Sequence, residues 1–278
     1  MVIYFFIYER KGVGIMIEAI TSMQNAFDLT GQNAIVTGGN GGIGLAISTA
    51  FAQVGANVAI LCRDMQKAGD ALETLKPYGG KYECFPCDVT DLPGVRKAVS
   101  EVYASFKEIN ILVNNAGVTT HTPFLDMDEN LGEWYRVMNT DLNGLVHMTY
   151  EVGKRMREAG KGGYIINVTS LSGIVVHKDN PRSPYNAAKA GANHFTRAMA
   201  VELGKYNIRA NAIAPGYIRT GMAANPTEDF LDFVKSQQPM DRLGEALEVG
   251  ALAVFLASPA AAHLTGTIQV IDGGFSLS

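Results

Sequence analysis

The chain has 278 residues, 47% of them hydrophobic, which is ample for one continuous core in a single α/β domain. Its formal net charge of -4 comes without a basic block, which excludes a nucleic-acid surface and favours a small-molecule partner. Three cysteines, Cys62, Cys84 and Cys87, are too few for a disulfide framework and suit a reducing, cytoplasmic compartment. Cys84 and Cys87 have Cys-x-x-Cys spacing, but with no second pair and no nearby histidine in sequence no metal site is expected.

Residues 1–30 precede the first good strand and are expected to be a poorly ordered extension, or to precede a true start at Met16 or Met23; residues 31–278 are expected to form the domain. The apolar run from Val2 to Tyr8 is far shorter than the about 20 residues that cross a bilayer, and its basic residues follow it, unlike those of a signal peptide. Ala34-Ile35-Val36 reads as a buried parallel strand, and Thr37-Gly38-Gly39-Asn40-Gly41-Gly42-Ile43-Gly44 feeds a helix to about Val54. In such a loop Gly38 allows a tight turn, Gly42 lets the backbone approach a pyrophosphate, and Gly44 packs helix against strand. Phosphates then meet the helix N-terminal N–H groups. A second strand, Asn57–Leu61, ends at Cys62-Arg63-Asp64. A third begins near Tyr82 and closes at Asp88-Val89, where Asp88 is also placed to cap the following helix. The fourth, Ile109–Val113, is broken by Asn114-Asn115-Ala116-Gly117, residues that tolerate unusual backbone angles.

Residues 128–159 read as helix in two parts around Asp141-Leu142-Asn143-Gly144, with Leu142, Leu145, Val146, Thr149 and Val152 at helical spacing. The fifth strand, Tyr164–Val168, delivers Thr169-Ser170-Leu171-Ser172-Gly173. A loop with His177, Lys178, Asp179 and Arg182 follows, either walling a substrate pocket or solvated. The helix from Pro184 to about Gly204 is small and apolar on more than one face. After a sixth strand, Arg209–Ala214, comes Pro215-Gly216-Tyr217-Ile218-Arg219-Thr220. Residues 221–245 carry no strong period, and a helix near Leu247–Leu256 and a last strand, Thr267–Ile271, close the pattern.

Within the Pro184 helix, Tyr185-Asn186-Ala187-Ala188-Lys189 puts a phenol and an ammonium on one face, just over one turn apart. A cation beside a phenol favours phenolate, which makes general acid–base work possible near neutrality. Together with the glycine loop, the Asn114–Gly117 segment and Pro215-Gly216 followed by Thr220, this stretch resembles the short-chain dehydrogenase/reductase family across residues 31–275.

The resemblance implies a doubly wound Rossmann-type parallel sheet with helices on both faces. It implies a nicotinamide coenzyme held by Gly38, Asn40, Gly42, Ile43, Gly44, Arg63, Asp88, Val89, Asn115, Ala116, Gly117, Pro215, Gly216, Ile218 and Thr220, with Tyr185 and Lys189. Asp88 and Val89 fall where the family contacts adenine, and residues 221–245 occupy the place of its mobile lid. Hydride transfer to or from a carbonyl or secondary alcohol follows, with Tyr185 moving the proton, Ser170 polarising the oxygen (Ser172 the fallback) and Lys189 holding the ribose. Asp141 departs from the family, which usually has asparagine there, seven residues after the tryptophan matched by Trp134. Part of that asparagine's contribution is its backbone carbonyl, so Asp141→Asn is expected to keep or improve activity.

Serine, tyrosine and histidine placement, with His194, is similar to members acting on ketoses, polyols and sugar acids, and nearly as similar to 3-oxoacyl-thioester reductases. A non-catalytic nucleotide-binding regulator is the rival of another class. The end of the second strand bears uncharged Cys62 and then Arg63, which favours NADP, although Asp64 and the absence of a basic residue at Gly41 keep NAD possible. A homo-oligomer, a tetramer as is common in the family, is expected from the apolar Pro184 helix and the helix around Leu142–Val152.

Overall fold

The structure, a computed structural model, describes residues 9–10, 13–14, 22–23, 25–178, 180–220 and 226–277. Most of the expected N-terminal extension, Asp179 and residues 221–225 of the lid lie outside the described residues. Strand and helix alternate as β1 (Asn33–Thr37), α1 (Gly42–Gln53), β2 (Asn57–Cys62), α2 (Met65–Leu75), β3 (Tyr82–Pro86), α3 (Leu92–Phe106) and β4 (Ile111–Asn114). They continue as α4 (Gly132–Met138), α5 (Gly144–Ala159), β5 (Gly163–Val168), α6 (Ser183–Leu203), β6 (Ile208–Pro215), α7 (Glu228–Gln237), α8 (Ala246–Ala257) and β7 (Ile268–Ile271). The seven strands form one parallel sheet in the order β7-β6-β5-β4-β1-β2-β3.

Strands buried on both faces need apolar residues at successive positions, which is why the sequence shows runs instead of alternation. Ala34, Val36, Val58 and Ile60 join Ile47 and Phe51 of α1 and Val249 and Ala253 of α8 in one core layer. Ile35, Ala59, Leu61 and Leu112 join Val95, Val99 and Val102 of α3 and Met148, Val152 and Met156 of α5 in the other. Helices α1 and α8 meet backbone to backbone, since a Cβ on Gly250 would lie 2.8 Å from the Ala46 carbonyl oxygen.

Asp64 caps α2, accepting from the Gln66 and Lys67 N–H groups at 3.1 Å. The cap of α3 is Asp91, which accepts from Gly94 N at 3.1 Å. Asp88, expected in that place, instead closes a tight turn by accepting from Thr90 N at 2.9 Å and Thr90 Oγ1 at 2.8 Å. Strand β3 stops at Pro86, so Asp88 and Val89 stand just beyond it. The break foreseen between the two helical parts is a π-turn over Asn139–Asn143, whose extra residue per turn buries Asp141.

The segment without a readable period contains α7, capped by Thr227, and Gly244–Glu245, which pairs in parallel with Ile218–Arg219. Its polar α7 face is solvated, so the apolar positions are too few to dominate the pattern. Helix α8 opens on a capping box between Glu245 and Glu248, and Arg242 grips Glu248 through two bonds of 2.7 and 3.0 Å. Arg242 and the Glu245 N–H hold the Glu248 carboxyl down at about 2. A carboxyl depressed on folding stabilises above its unfolded value near 4.5 and loses that contribution as the pH falls toward 2. Glu248→Gln should therefore lower stability by roughly 1 kcal/mol or less, the pair being solvent-screened, and flatten the acid decline in melting temperature. Thermal unfolding across that pH range checks both; an unaltered acid decline contradicts the assignment.

Candidate active site

Strands β1 and β4 are neighbours, yet the chain leaves them toward opposite ends of the sheet, which opens a crevice above their C-terminal edges. The glycine loop turns there with positive φ at Gly38 (63°) and Gly42 (52°). A Cβ on Gly44 would come within 2.3 Å of the Gly38 carbonyl oxygen, so only glycine lets α1 start this close to β1. The N-cap of α1 is Gly41, and no side chain caps the helix there, which leaves its first-turn N–H groups for an anion. Asn115 braces the loop from the β4 side: its Nδ2 donates to the Thr37 and Gly38 carbonyls at 3.0 and 3.3 Å. Thr37 Oγ1 accepts in return from the Asn115 and Ala116 N–H groups at 2.9 and 3.0 Å.

Asn40 Nδ2 donates to the Asp64 carbonyl at 3.2 Å, joining the glycine loop to the end of β2. Arg63 is exposed at the crevice edge, where its Nη1 pairs with Asp88 Oδ2 at 3.9 Å. The carboxylate of Asp64 accepts from the first-turn N–H groups of α2 and is spent on that cap. Val89 supports the floor, since Gly144 must lack a side chain to pass its Cγ2. Ile43 packs on the core layer beneath α1. From the far side Gly216 lies against Asp272 so closely that a Cβ would reach within 2.6 Å of it, and Ile218 is buried. Thr220 is brought over Gly42, whose Cβ would lie 3.7 Å from the Thr220 Cβ.

Ser170 follows β5 in an extended conformation, with its Oγ accepting from Ser172 N at 3.1 Å, so its hydroxyl proton is available to another acceptor. Ser172 Oγ is buried and without a hydrogen-bond partner among the described residues. Gly173 then presses on α6: a Cβ there would lie 2.7 Å from the Lys189 carbonyl carbon and 2.8 Å from Asn193 Nδ2. That contact sets Ser170 beside the turn of α6 that carries Tyr185 and Lys189. Tyr185 is half-buried, and the Lys189 ammonium lies 5.4 Å from its ring centroid. Lys189 Nζ donates to the Val168 carbonyl at 3.1 Å and meets Asp141 Oδ2 at 3.1 Å. Burial alone would push the lysine's pKa down, but the Asp141 and Tyr185 oxygens outweigh it and hold the value above the ordinary one.

An aromatic wall lies toward the N-terminal end of α6, whose N-cap residue Arg182 acts on both His177 and Tyr217. Tyr217 meets His177, Phe230, Phe233 and Phe275 at centroid distances of 5.9, 5.4, 6.1 and 5.5 Å, and His177 meets Phe275 at 4.9 Å. His177 was expected in a loop either walling a pocket or solvated; it packs among these rings, and burial followed by nearby Arg182 pushes its pKa down. Its aromatic partners were missed, because they come from three other segments and no local pattern links them. The three thiols face no such site: burial raises Cys62 and lifts Cys84 to about 12 and Cys87 to about 11, which keeps them in the weakly nucleophilic, weakly ligating form.

Comparison with known proteins agrees with this arrangement. The family described as enoyl-(acyl carrier protein) reductase matches residues 37–276. Sorbose reductase of Candida albicans is 35% identical over 262 residues, covering 92% of this chain and 91% of its own. Galactitol 2-dehydrogenase of Rhizobium johnstonii is 36% identical over 258 residues, covering 92% and 99%. A 3-oxoacyl-[acyl-carrier-protein] reductase of Chlamydia trachomatis is 35% identical over 250 residues, covering 89% and 98%. Among solved structures, a gluconate 5-dehydrogenase of Burkholderia cenocepacia in complex with NADP and tartrate superposes with a TM-score of 0.85 at 29% identity, covering 92% and 100%. The chain is a nicotinamide-dependent oxidoreductase, and it belongs to the short-chain dehydrogenase/reductase family.

Gly44→Ala is expected to destabilise the fold by about 1–3 kcal/mol, because the clash is with backbone and no side chain can swing away. It should also abolish coenzyme binding, as read by quenching of protein fluorescence on titration with NADPH; wild-type affinity would contradict the geometry.

Proposed function

We propose that the protein is an NADP(H)-dependent oxidoreductase acting on ketoses, polyols or sugar acids, in which Ser170, Tyr185 and Lys189 carry the proton chemistry. The observation that supports it best is the Gly173 contact with α6, which joins the strand-end serine to the Tyr185–Lys189 turn. When bound, the coenzyme supplies or takes the hydride at its nicotinamide C4. The α1 N-terminus and glycine loop hold its pyrophosphate, Thr220 closes over that loop, and Asn115 keeps the loop in shape. Ser170 Oγ donates to the substrate oxygen as charge grows there, and Tyr185 Oη delivers the proton. The Lys189 charge, 5.4 Å from the Tyr185 ring centroid, favours the phenolate left behind, and its ammonium would also hold the coenzyme ribose.

NADP is favoured over NAD by two features of the β2 edge. Cys62 offers no carboxylate to the ribose, and Asp64 spends its carboxylate on the α2 cap, while Arg63 is exposed beside it. The aromatic wall, with hydroxyl and imidazole groups of Tyr217 and His177 among its rings, suits stacking on a sugar's C–H face better than an extended acyl chain. The relatives acting on sorbose and galactitol support the same choice over the thioester substrate. Exposed Tyr135, Tyr150 and Val201 on α4, α5 and α6 support a homo-oligomer, taken as a tetramer, and free thiols support a cytoplasmic setting.

A panel of ketoses, sugar acids and acetoacetyl thioesters, followed by absorbance of the reduced nicotinamide, tests the substrate class; turnover of thioesters alone would overturn it. Tyr185→Phe should remove turnover while leaving NADPH binding nearly intact, and retention of more than about a tenth of wild-type rate sinks the mechanism. Arg63→Ala should raise the KM for NADPH far more than that for NADH, since only the former has a 2′-phosphate to lose; equal effects on both would reject the NADP preference. Light scattering at micromolar concentration reads the assembly, and a monomeric mass refutes it.

A further inference from the structure

Asp141 contributes more than a main-chain carbonyl. Its side chain is fully enclosed, at 0% exposure, and that of Lys189 is 5% exposed, with Oδ2 and Nζ 3.1 Å apart. Asp141 Oδ1 accepts from Val118 N at 2.8 Å, which fixes the carboxylate to the segment leaving β4. A Cβ on Gly117 would lie 2.8 Å from Oδ2 and 3.4 Å from Nζ, so the loop wraps the pair with no room for a side chain or a rotated carboxylate.

Among the described residues, Asp141 and Tyr185 are the ionisable groups that act on Lys189, while Arg182, at the N-cap of α6, acts on His177 and Tyr217. On α4, Glu133 bonds Thr120 and Arg136 donates to the Thr119 carbonyl. Lys205, after α6, lies over Tyr206, and Arg209 of β6 donates to the Ser258 and Leu264 carbonyls. The turn holding Ser170 and Gly173 carries no charge, and β5 offers Lys189 the neutral Val168 carbonyl. Lys189 favours phenolate at Tyr185, and a carboxylate locked against that ammonium in a low-dielectric interior cancels much of its field. Asparagine would keep the shape and remove the cancellation.

We propose that Asp141 is a positioning residue that fixes Lys189 and offsets its charge, so that Tyr185 keeps its proton at and above neutral pH and the site is set for carbonyl reduction. This rests on Tyr185 as the proton donor. The overall equilibrium of the reaction is untouched; what moves is the pH window in which each direction runs. Reduction needs the phenol and fades as pH rises, oxidation needs the phenolate and grows, and both limbs report the same ionisation.

The test is the pH dependence of kcat/KM in both directions for the wild-type enzyme, Asp141→Asn and Asp141→Ser, with melting temperatures recorded alongside. In Asp141→Asn both limbs should move to lower pH by about one unit or more, and Asp141→Ser, uncharged and small enough for the enclosed corner, should move them the same way. A lower melting temperature with unmoved limbs is what a purely structural role gives, and it overturns the proposal. Should Asp141→Asn yield no folded protein, Asp141→Ser decides alone: limbs displaced to lower pH by about a unit support the proposal, and limbs at the wild-type pH reject it. Turnover surviving in Tyr185→Phe would instead sink the assignment of the donor, a failure distinct from an unmoved limb.

Discussion

The site depends on a short set of hydrogen bonds that span the crevice between β1 and β4. Two parallel strands whose chains leave in opposite directions expose unpaired backbone at their ends, and water would otherwise satisfy it. Thr37 and Asn115 satisfy it from within: one hydroxyl accepts from two consecutive N–H groups, and one amide donates to two consecutive carbonyls. The glycine loop is thereby held in its positive-φ turn, and the first turn of α1 points where an anion can reach it. A second buried relay continues the bracing: Asn114 bonds Thr149 and Asn167, and Asn167 bonds Thr196. It crosses from β4 through β5 to α5 and α6, so the helix bearing Tyr185 and Lys189 is referenced to the strand that shapes the crevice.

Close approach does the rest of the positioning. Gly44, Gly117, Gly144, Gly173 and Gly216 each sit where a methyl group would collide with backbone or with a packed side chain. At Gly44, Gly173 and Gly216 the distance between two elements is set by backbone atoms, which cannot adopt another rotamer. The corner of Tyr185 and Lys189 thus inherits the rigidity of the sheet, while the aromatic wall is assembled from side chains. Asp141 belongs to the rigid part, because the π-turn aims its carboxylate inward and the Val118 N–H holds it there.

Much of this was legible in the chain itself. The parallel sheet followed from apolar runs such as Ala34-Ile35-Val36, and the nucleotide crevice from a glycine loop placed between strand and helix. Residues near one another in sequence, such as Tyr185 and Lys189, were legible because a helix fixes their separation. Three kinds of feature were not. The partner of Lys189 was hidden, since Asp141 precedes it by 48 positions and its inward turn depends on an insertion in the helical repeat. The cap read at Asp88 falls on Asp91, because both lie before α3 and only backbone geometry decides which carboxylate meets the helix N–H groups. Helix α7 escaped because its buried side is narrow, with Val234 its single fully buried residue.

The aromatic wall has an evolutionary consequence. Tyr217, His177, Phe275 and the two phenylalanines of α7 touch one another, so under the proposed function the surface facing the substrate would also be the surface on which α7 rests. A replacement that reshapes the cavity for a new substrate therefore changes the seat of α7 in the same step. Adaptation to a different sugar would have to proceed through paired changes across these segments, with the effect of each depending on which residue already occupies the others.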